Sequence, residues 1–184
     1  MKPKLIVIAG PTATGKSDYA VKLAEQINGE VISADSRQVY RGMDLGTGKI
    51  TVAEMRGIPH HLLDVRDPHE NFSVQEYKEL ADAAIADIVA RGKTPILCGG
   101  TGFFIQAVID NVTLPQAPPN PELRAQLDLL SGEELFDQLK KMDPDRAETI
   151  DPDNKRRIIR ALEIATTLGH VPKQEVQESL YDLE

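Results

Sequence analysis

The N-terminal segment carries the pattern that most restricts how this chain can fold. An apolar run from Leu5 to Ala9 leads into the sequence G-x-x-x-x-G-K-S, which extends from Gly10 to Ser17. This is the phosphate-binding P-loop, in which glycines let the backbone approach an anion while backbone N–H groups and a helix N-terminus face the phosphate oxygens. Lys16 adds a positive charge, and the Ser17 hydroxyl can bind Mg²⁺. The pattern predicts a polyphosphate site between a strand and a helix, without naming the ligand.

The composition is that of an ordinary globular chain of 184 residues, 41% hydrophobic and 27% charged. No apolar stretch approaches the roughly 20 residues of a membrane helix, and the single cysteine, Cys98, excludes an internal disulfide framework. We therefore expect a soluble cytoplasmic protein with no membrane association. The net charge of −8 argues against a broad nucleic-acid surface, although it leaves room for a local basic groove.

Predicted strands and helices alternate along the first part of the chain. Strands are expected at 30–34, 60–65 and 94–98, and a helix at 73–90 begins with a capping box formed by Ser73 and Glu76. This order predicts an α/β fold of the P-loop NTPase type, with a parallel sheet flanked by helices. Because ligands bind at the carboxyl ends of such strands, we expect the P-loop, residues 35–38 and residues 99–101 at one edge.

A Pro-rich stretch at 114–121 separates this core from a helical region. Helices are predicted at 121–130, 132–142 and 153–168. We therefore expect a catalytic core at 1–114. The remainder, 115–184, is expected to be a linker and helical insertion domain whose helix 153–168 returns to the core.

Asp35 and Thr101 each follow a predicted strand on the expected ligand-binding edge. The Asp35 carboxylate could bind Mg²⁺ through water or accept a proton from a nucleophile, but it could equally be a solvated acid that caps a turn. The hydroxyl and amide of Thr101 suit a phosphate or a leaving oxygen, whereas the more common local explanation is a simple helix N-cap.

A basic cluster marks the start of the last predicted helix. Arg156 and Arg160 share a face at i, i+4, and Arg157 lies between them. The cluster could bind pyrophosphate or an RNA backbone. The alternative, slightly favoured by the residues alone, is a solvated face paired with Glu163 and nearby aspartates.

Three other residues with metal-binding side chains are assigned structural roles. His60 and His61 are adjacent on a predicted strand, so their side chains point to opposite faces and cannot bind one ion together. Cys98 is expected to be a buried strand thiol, because no basic partner is close in sequence.

Five segments of the sequence form a specific combination: Gly10–Ser17, Asp35–Arg41, Gly57–Asp64, Gly99–Thr101 and Arg157–Glu163. They occur in the order in which the tRNA dimethylallyltransferases carry them, and the chain resembles this family of P-loop tRNA isopentenyltransferases up to about residue 172. The run D-S-x-Q-V-Y is the most specific, since nucleotide kinases lack it. The resemblance implies transfer of a dimethylallyl group from dimethylallyl diphosphate to the exocyclic amine of the adenosine 3′ of the anticodon in tRNA.

The same resemblance implies roles for individual residues. The P-loop would hold the diphosphate of the substrate and not ATP, with Lys16 and a Mg²⁺ ion at Ser17 neutralising the departing pyrophosphate. Asp35 would be the general base, and Thr101 would lie beside the reacting centre. The implied diphosphate ligands are Gly10, Pro11, Thr12, Ala13, Thr14, Gly15, Lys16 and Ser17, and the implied tRNA contacts are Asp35, Ser36, Arg37, Gln38, Thr101, Arg124, Arg156, Arg157 and Arg160.

The expected partners are the anticodon stem–loop of tRNA and dimethylallyl diphosphate, bound by a monomer. Family members are usually longer, with a further strand and basic C-terminal helices. Two alternatives remain open. One is a P-loop small-molecule kinase that uses ATP, with the segment 156–160 as an arginine lid. The other is an RNA-binding module without prenyl chemistry.

Overall fold

The computed structural model describes residues 2–173 and 177–184, whose contacts divide into two compact units. One unit contains the chain up to Thr113 together with the C-terminal segment, and the other begins at Leu114. The first is an α/β unit and the second is helical. Within the described residues, no helix combines the length and apolarity that crossing a bilayer requires.

The α/β unit is built on a five-stranded parallel sheet in the order β3-β2-β4-β1-β5. This confirms the predicted parallel sheet of the P-loop type with flanking helices. The strands are β1 Lys4–Ala9, β2 Gly29–Ala34, β3 His60–His61, β4 Thr94–Gly99 and β5 Asp182–Leu183, and the helices are α1 Lys16–Ile27, α2 Val52–Met55, α3 Val74–Ala90 and α4 Gly102–Ile109.

Alternate residues of the central strands pack on opposite faces of the sheet, as the two-residue period of a strand requires. On one face Ile32 and Leu97 pack with Tyr77 of α3 and Phe104 of α4, whose rings stack with centroids 4.0 Å apart. On the other face Val31 and Ile96 pack with Ala20 and Ala24 of α1. Helices therefore cover both faces.

The strand register aligns the carboxyl ends of the three central strands. Gly99 of β4 is paired with Ala34 of β2 on one side and with Ala9 of β1 on the other. The residues that follow these strands consequently leave the sheet at one edge. This confirms the expected meeting of the P-loop, the Asp35 segment and the Gly99–Thr101 segment.

Two features of the sheet differ from the sequence prediction. The strand predicted at 60–65 is only His60–His61, because Leu62 and Asp64 have positive φ angles of 64° and 55°, which end the extended conformation. The C-terminal strand β5 was not predicted, and its pairing with β1 includes a hydrogen bond from Val7 N to Glu184 O of 2.8 Å.

The helical unit contains α5 Pro121–Asp128, α6 Gly132–Met142, α7 Pro144–Thr149 and α8 Lys155–Leu168. A cluster of buried side chains from these helices, including Leu127, Leu135, Leu139, Ile158 and Leu162, forms its core. Ser131 and Glu134 form a capping box that starts α6. The short helix α7 was not predicted.

The observed units divide the predicted region 115–184. The helix α8 packs on α5 and α6 within the helical unit, and its expected return to the catalytic core stays a prediction. Residues 177–184, placed in the helical region by the prediction, belong to the α/β unit. Their anchor is Tyr181, which is buried in the core of that unit and donates a hydrogen bond of 2.7 Å to Asp82 Oδ1.

Candidate active site at the carboxyl edge of the sheet

The P-loop joins β1 directly to α1. Gly15 is the N-cap residue of α1 and has a φ of 81°, a conformation that favours glycine. No side chain among the described residues caps this helix, so its first N–H groups are available to an anion at the loop. The loop therefore has the backbone arrangement that phosphate binding needs.

The side chains of the loop place a positive charge and a hydroxyl at the start of α1. The Lys16 ammonium donates to the carbonyl oxygen of Pro11 and lies 3.4 Å from Thr14 Oγ1. Thr14 in turn donates a hydrogen bond of 2.9 Å to the same carbonyl. Ser17 follows Lys16 in the first turn and is exposed. Lys16 and Ser17 are therefore neighbours at the start of α1.

Asp35 follows β2 and organises a turn. Its Oδ1 atom accepts hydrogen bonds from the backbone N–H groups of Arg37, at 2.8 Å, and Gln38, at 3.3 Å. The turn-capping role considered for Asp35 is therefore present. Only one carboxylate oxygen is used in these two bonds, so the geometry is compatible with a second role for Oδ2.

Thr101 does not act as a side-chain cap of α4, contrary to the simpler local interpretation. Its Oγ1 accepts a hydrogen bond of 2.9 Å from the backbone N–H of Ser36 and lies 3.3 Å from Ser36 Oγ. The Thr101 N–H donates to Ala34 O at 3.0 Å. These contacts join the residues that follow β2 and β4.

Two glycines allow the three segments to approach one another. A Cβ atom at Gly99 would lie 2.1 Å from the carbonyl oxygen of Ala34, a distance that no side chain can occupy. A Cβ at Gly100 would be 3.4 Å from the carbonyl oxygen of Gly10, so the β4 loop runs against the P-loop. The predicted G-G-T segment is thus in close contact with both other segments.

Gln38 anchors a neighbouring loop in the structure. Its Nε2 donates to the carbonyl oxygens of Thr47 and Gly48, both at 3.3 Å. Lys49 holds the same loop from the other end, since its ammonium donates to Tyr40 O, Asp44 Oδ1 and Asp64 Oδ1 at 2.6–2.8 Å. Of the predicted base-contacting residues, Arg37 is exposed and Ser36 is partly buried.

The predicted RNA-binding arginines lie in the helical unit and fall into two pairs. Arg124 and Arg160 both contact Glu163, at distances of 2.7 Å and 3.3 Å. Arg156 and Arg157 are exposed, and no acidic side chain in the described part of the chain pairs with them. Within the basic cluster at 156–160, the expected pairing with Glu163 therefore holds for Arg160 only. The second partner of Glu163 is Arg124, which lies outside that cluster.

The histidines and the cysteine have structural environments. His61 Nε2 lies 2.8 Å from Glu30 Oε2, and His60 Nδ1 lies 2.9 Å from Ile58 O. Burial lowers the pKa of His60, and burial raises the pKa of Cys98 to about 11. Across residues 2–173 and 177–184, no cluster of three or more His, Cys, Asp or Glu side chains could hold a metal ion.

The burial of three charged side chains was not predicted from the sequence. Glu30 is only 1% exposed and binds Arg91, Lys93 and His61, and Lys49, whose side chain is 5% exposed, closes the loop beside Gln38. Glu163 was considered only as a surface partner. An acidic residue inside an apolar strand was a usable signal for Glu30, but no local pattern distinguished Lys49.

A parallel sheet whose first strand runs through this loop into α1 makes the chain an α/β protein of the P-loop type. A family model described as IPP transferase matches residues 38–183, and the chain belongs to that family. The match starts at Gln38, so it includes the Thr101 segment and the arginines, whereas the P-loop and Asp35 lie before it.

Curated relatives and solved structures agree with this assignment. Proteins named tRNA dimethylallyltransferase from Anoxybacillus flavithermus and a Roseiflexus species are 49% and 52% identical over 178 and 169 residues, covering 97% and 90% of this chain. The chain spans 57% and 55% of their lengths.

Two solved structures show the same fold. The crystal structure of a tRNA isopentenylpyrophosphate transferase from Bacillus halodurans is 47% identical, with a TM-score of 0.64 over 99% of this chain and 58% of that one. A eukaryotic dimethylallyltransferase described as acting on tRNA is 33% identical, with a TM-score of 0.84 over 98% of this chain and 47% of that one.

Proposed function

We propose that this chain carries the catalytic centre of a tRNA dimethylallyltransferase. In this reaction a dimethylallyl group moves from dimethylallyl diphosphate to the exocyclic amine of the adenosine 3′ of the anticodon, and pyrophosphate leaves. The observation that carries the proposal is the meeting of a P-loop, the Asp35 turn and Thr101 at one edge of the sheet. The family membership of the chain supports the same reaction.

The proposed reaction has two parts, the departure of the diphosphate and the attack of the adenine amine. The bond between the allylic carbon and the diphosphate oxygen breaks, and a bond from that carbon to the adenine nitrogen forms. Gly10–Ser17 binds the diphosphate, and Lys16 stabilises its developing charge. Asp35 accepts the proton that the amine loses, through the carboxylate oxygen that is not used in its turn.

Ser36, Arg37 and Thr101 orient the adenine in this proposal. Thr101 acts by holding the backbone of Ser36, because its Oγ1 accepts the N–H of that residue. Gln38 acts one step further away, by anchoring the loop at Thr47 and Gly48. The adenine must leave its stack to reach these groups, which costs a few kcal/mol and contributes to selectivity.

A Mg²⁺ ion is proposed as the cofactor. The exposed Ser17 hydroxyl at the P-loop fits such an ion, because Mg²⁺ keeps several waters and needs few protein ligands when it also contacts phosphate oxygens. The ion would supply charge neutralisation for the departing pyrophosphate.

The anticodon stem–loop is the proposed acceptor, and Arg124, Arg156, Arg157 and Arg160 are its proposed phosphate contacts. An acidic chain with a net charge of −8 would concentrate its RNA binding in such a local basic surface. We further propose that the enzyme is cytoplasmic and monomeric.

The proposal is tested by incubating the protein with labelled dimethylallyl diphosphate, Mg²⁺ and an anticodon stem–loop RNA. We expect prenylated adenosine. Asp35→Asn retains an oxygen that can accept from Arg37 and Gln38 but cannot take up the proton. We therefore expect it to lose at least about 10²-fold in rate while its unfolding temperature changes little. Asp35→Ala should lose both the activity and the turn.

Two outcomes would contradict the proposal. Turnover of ATP without prenyl transfer would favour the kinase alternative. RNA binding that survives Asp35→Asn, with no prenylated product from the unmodified protein, would favour a non-catalytic RNA-binding module.

A further inference from the structure

Glu163 is a buried carboxylate at the centre of the basic surface in the helical unit. It lies in α8, is 1% exposed, and accepts hydrogen bonds from two arginines that stand on different elements. Its bonds are from Arg124 Nε and Nη2, both 2.7 Å, from the Asn120 N–H, 2.9 Å, and from Arg160 Nη1, 3.3 Å.

Glu163 orients the two arginine head groups and uses only some of their N–H donors. The side chains of Arg124 and Arg160 are 44% and 36% exposed, so both reach the surface. A guanidinium has five N–H donors, and each of these two uses two of them, because Arg160 Nη2 also donates to Ala117 O at 2.8 Å. Glu163 supplies one negative charge to the two guanidinium groups, and Asp128 is a second acidic residue that acts on Arg124.

Two further arginines lie near this pair on α8. Arg156 lies one helical turn before Arg160 on the same face of α8, and Arg157 is exposed beside it. These arginines stand on a chain whose net charge is −8. A phosphate backbone is the partner that such fixed guanidinium groups fit.

We propose that Glu163 is a positioning residue that holds Arg124 and Arg160 in the orientation in which they bind RNA backbone phosphates. This inference rests on the proposed function, since it assumes that the chain binds an anticodon stem–loop. Glu163 does not touch the RNA. It acts by fixing the two guanidinium groups and, through Asn120 and Ala117, the Pro-rich segment next to them.

The variant Glu163→Gln distinguishes the positioning of the two arginines from the effect of the Glu163 charge alone on RNA binding. Removing a negative charge should by itself strengthen RNA binding, whereas loss of positioning should weaken it. The Gln amide would also face guanidinium donors with its own N–H groups. We expect binding of an anticodon stem–loop at about 0.1 M salt to weaken at least about tenfold, and the slope of log K against log salt to fall by about 0.7 to 1.8, which corresponds to one or two phosphate contacts.

The matched control is Glu133→Gln, which makes the same charge change at an exposed position of α6 in the same unit. It should bind RNA as tightly as the unmodified protein or slightly more tightly. The triple variant Glu163→Gln/Arg124→Gln/Arg160→Gln should bind within about twofold of Arg124→Gln/Arg160→Gln, because the proposal has Glu163 affect RNA binding through these arginines.

Folding is followed by circular dichroism, and binding is measured below the unfolding transition. If Glu163→Gln does not fold, Glu163→Asp replaces it, since it keeps the charge but withdraws the carboxylate, and it too should weaken binding and reduce the slope. Unchanged or tighter binding with an unchanged slope would overturn the inference and leave the proposed function standing. An unmodified protein that binds no RNA would overturn both.

Discussion

The backbone N–H of Ser36 donates a hydrogen bond of 2.9 Å to Oγ1 of Thr101, a residue 65 positions further along the chain. The bond connects the segment after β2 to the segment after β4, at the edge where both strands end. The Thr101 side chain accepts here and does not cap α4, so its hydroxyl fixes the backbone immediately after Asp35.

Thr101→Val should therefore disturb both stability and activity. It leaves the Ser36 N–H without its acceptor while keeping the shape of the side chain, and we expect a loss of about 1–2 kcal/mol in the free energy of unfolding. Prenyl transfer should fall at least about tenfold. Denaturant unfolding and the transfer assay measure the two effects. Thr101→Ser, which keeps the hydroxyl, should stay close to the unmodified protein, and equal effects of both variants would contradict this role.

Gly99→Ala should be strongly destabilising, because the new Cβ would lie 2.1 Å from the carbonyl oxygen of Ala34 in the neighbouring strand. Neither backbone can move without breaking the pairing of β2 with β4, so we expect a cost of at least about 3 kcal/mol. Gly102→Ala is the control. Nothing lies within 4 Å of its Cβ position at the start of α4, and alanine there should stabilise by about 0.5–1 kcal/mol. Thermal unfolding measures both variants. A shift of the unfolding temperature in the same direction for Gly99→Ala and Gly102→Ala would refute the explanation.

Glu30 should contribute to stability in a pH-dependent way. Arg91 above all, followed by Lys93 and His61, holds the pKa of this carboxyl well below its ordinary value of 4.5, although burial acts in the opposite direction. A lowered pKa means that the folded state favours the charged form. The contribution is therefore complete above about pH 5 and is lost as the pH falls further.

Glu30→Gln tests this sign. At pH 7 we expect a loss of about 2 kcal/mol, less than for a fully buried pair because Arg91 and Lys93 reach solvent. Between pH 5 and about pH 2 the unmodified protein should lose more of its free energy of unfolding than the variant does. Urea unfolding across this range measures both curves, with the exposed Glu148→Gln as control. Parallel curves would show that Glu30 is not the group responsible.

Tyr181→Phe should loosen the C-terminal segment. The Tyr181 hydroxyl donates to Asp82 Oδ1, and its removal should cost about 1–2 kcal/mol. Hydrogen exchange should become faster at the amide of Val7, which bonds to Glu184 O across β5. Tyr19→Phe, at an exposed position of α1, should change neither measurement. Unaltered exchange at Val7 in Tyr181→Phe would show that the hydroxyl bond to Asp82 does not hold β5, and that the buried ring and the backbone pairing suffice.

Elements with local signals could be predicted from the sequence. The capping box of α3 depends on Ser73 and Glu76, three residues apart, and both its bonds form as expected. The helix Gly132–Met142 begins and ends at the predicted residues. The order of strands and helices also predicted the edge at which the three polar segments meet, because all the strands run parallel.

The P-loop, the parallel sheet and the family could thus be inferred from the sequence, since these depend on periodicity, capping and motif order. The partner of each polar side chain depends instead on the folded structure. Thr101 pairs with Ser36 and Glu163 with Arg124 across 65 and 39 residues, and Gln38 anchors the loop at Gly48. The physical reason is that hydrogen bonds between distant residues depend on strand register and helix packing, which no short stretch of sequence specifies.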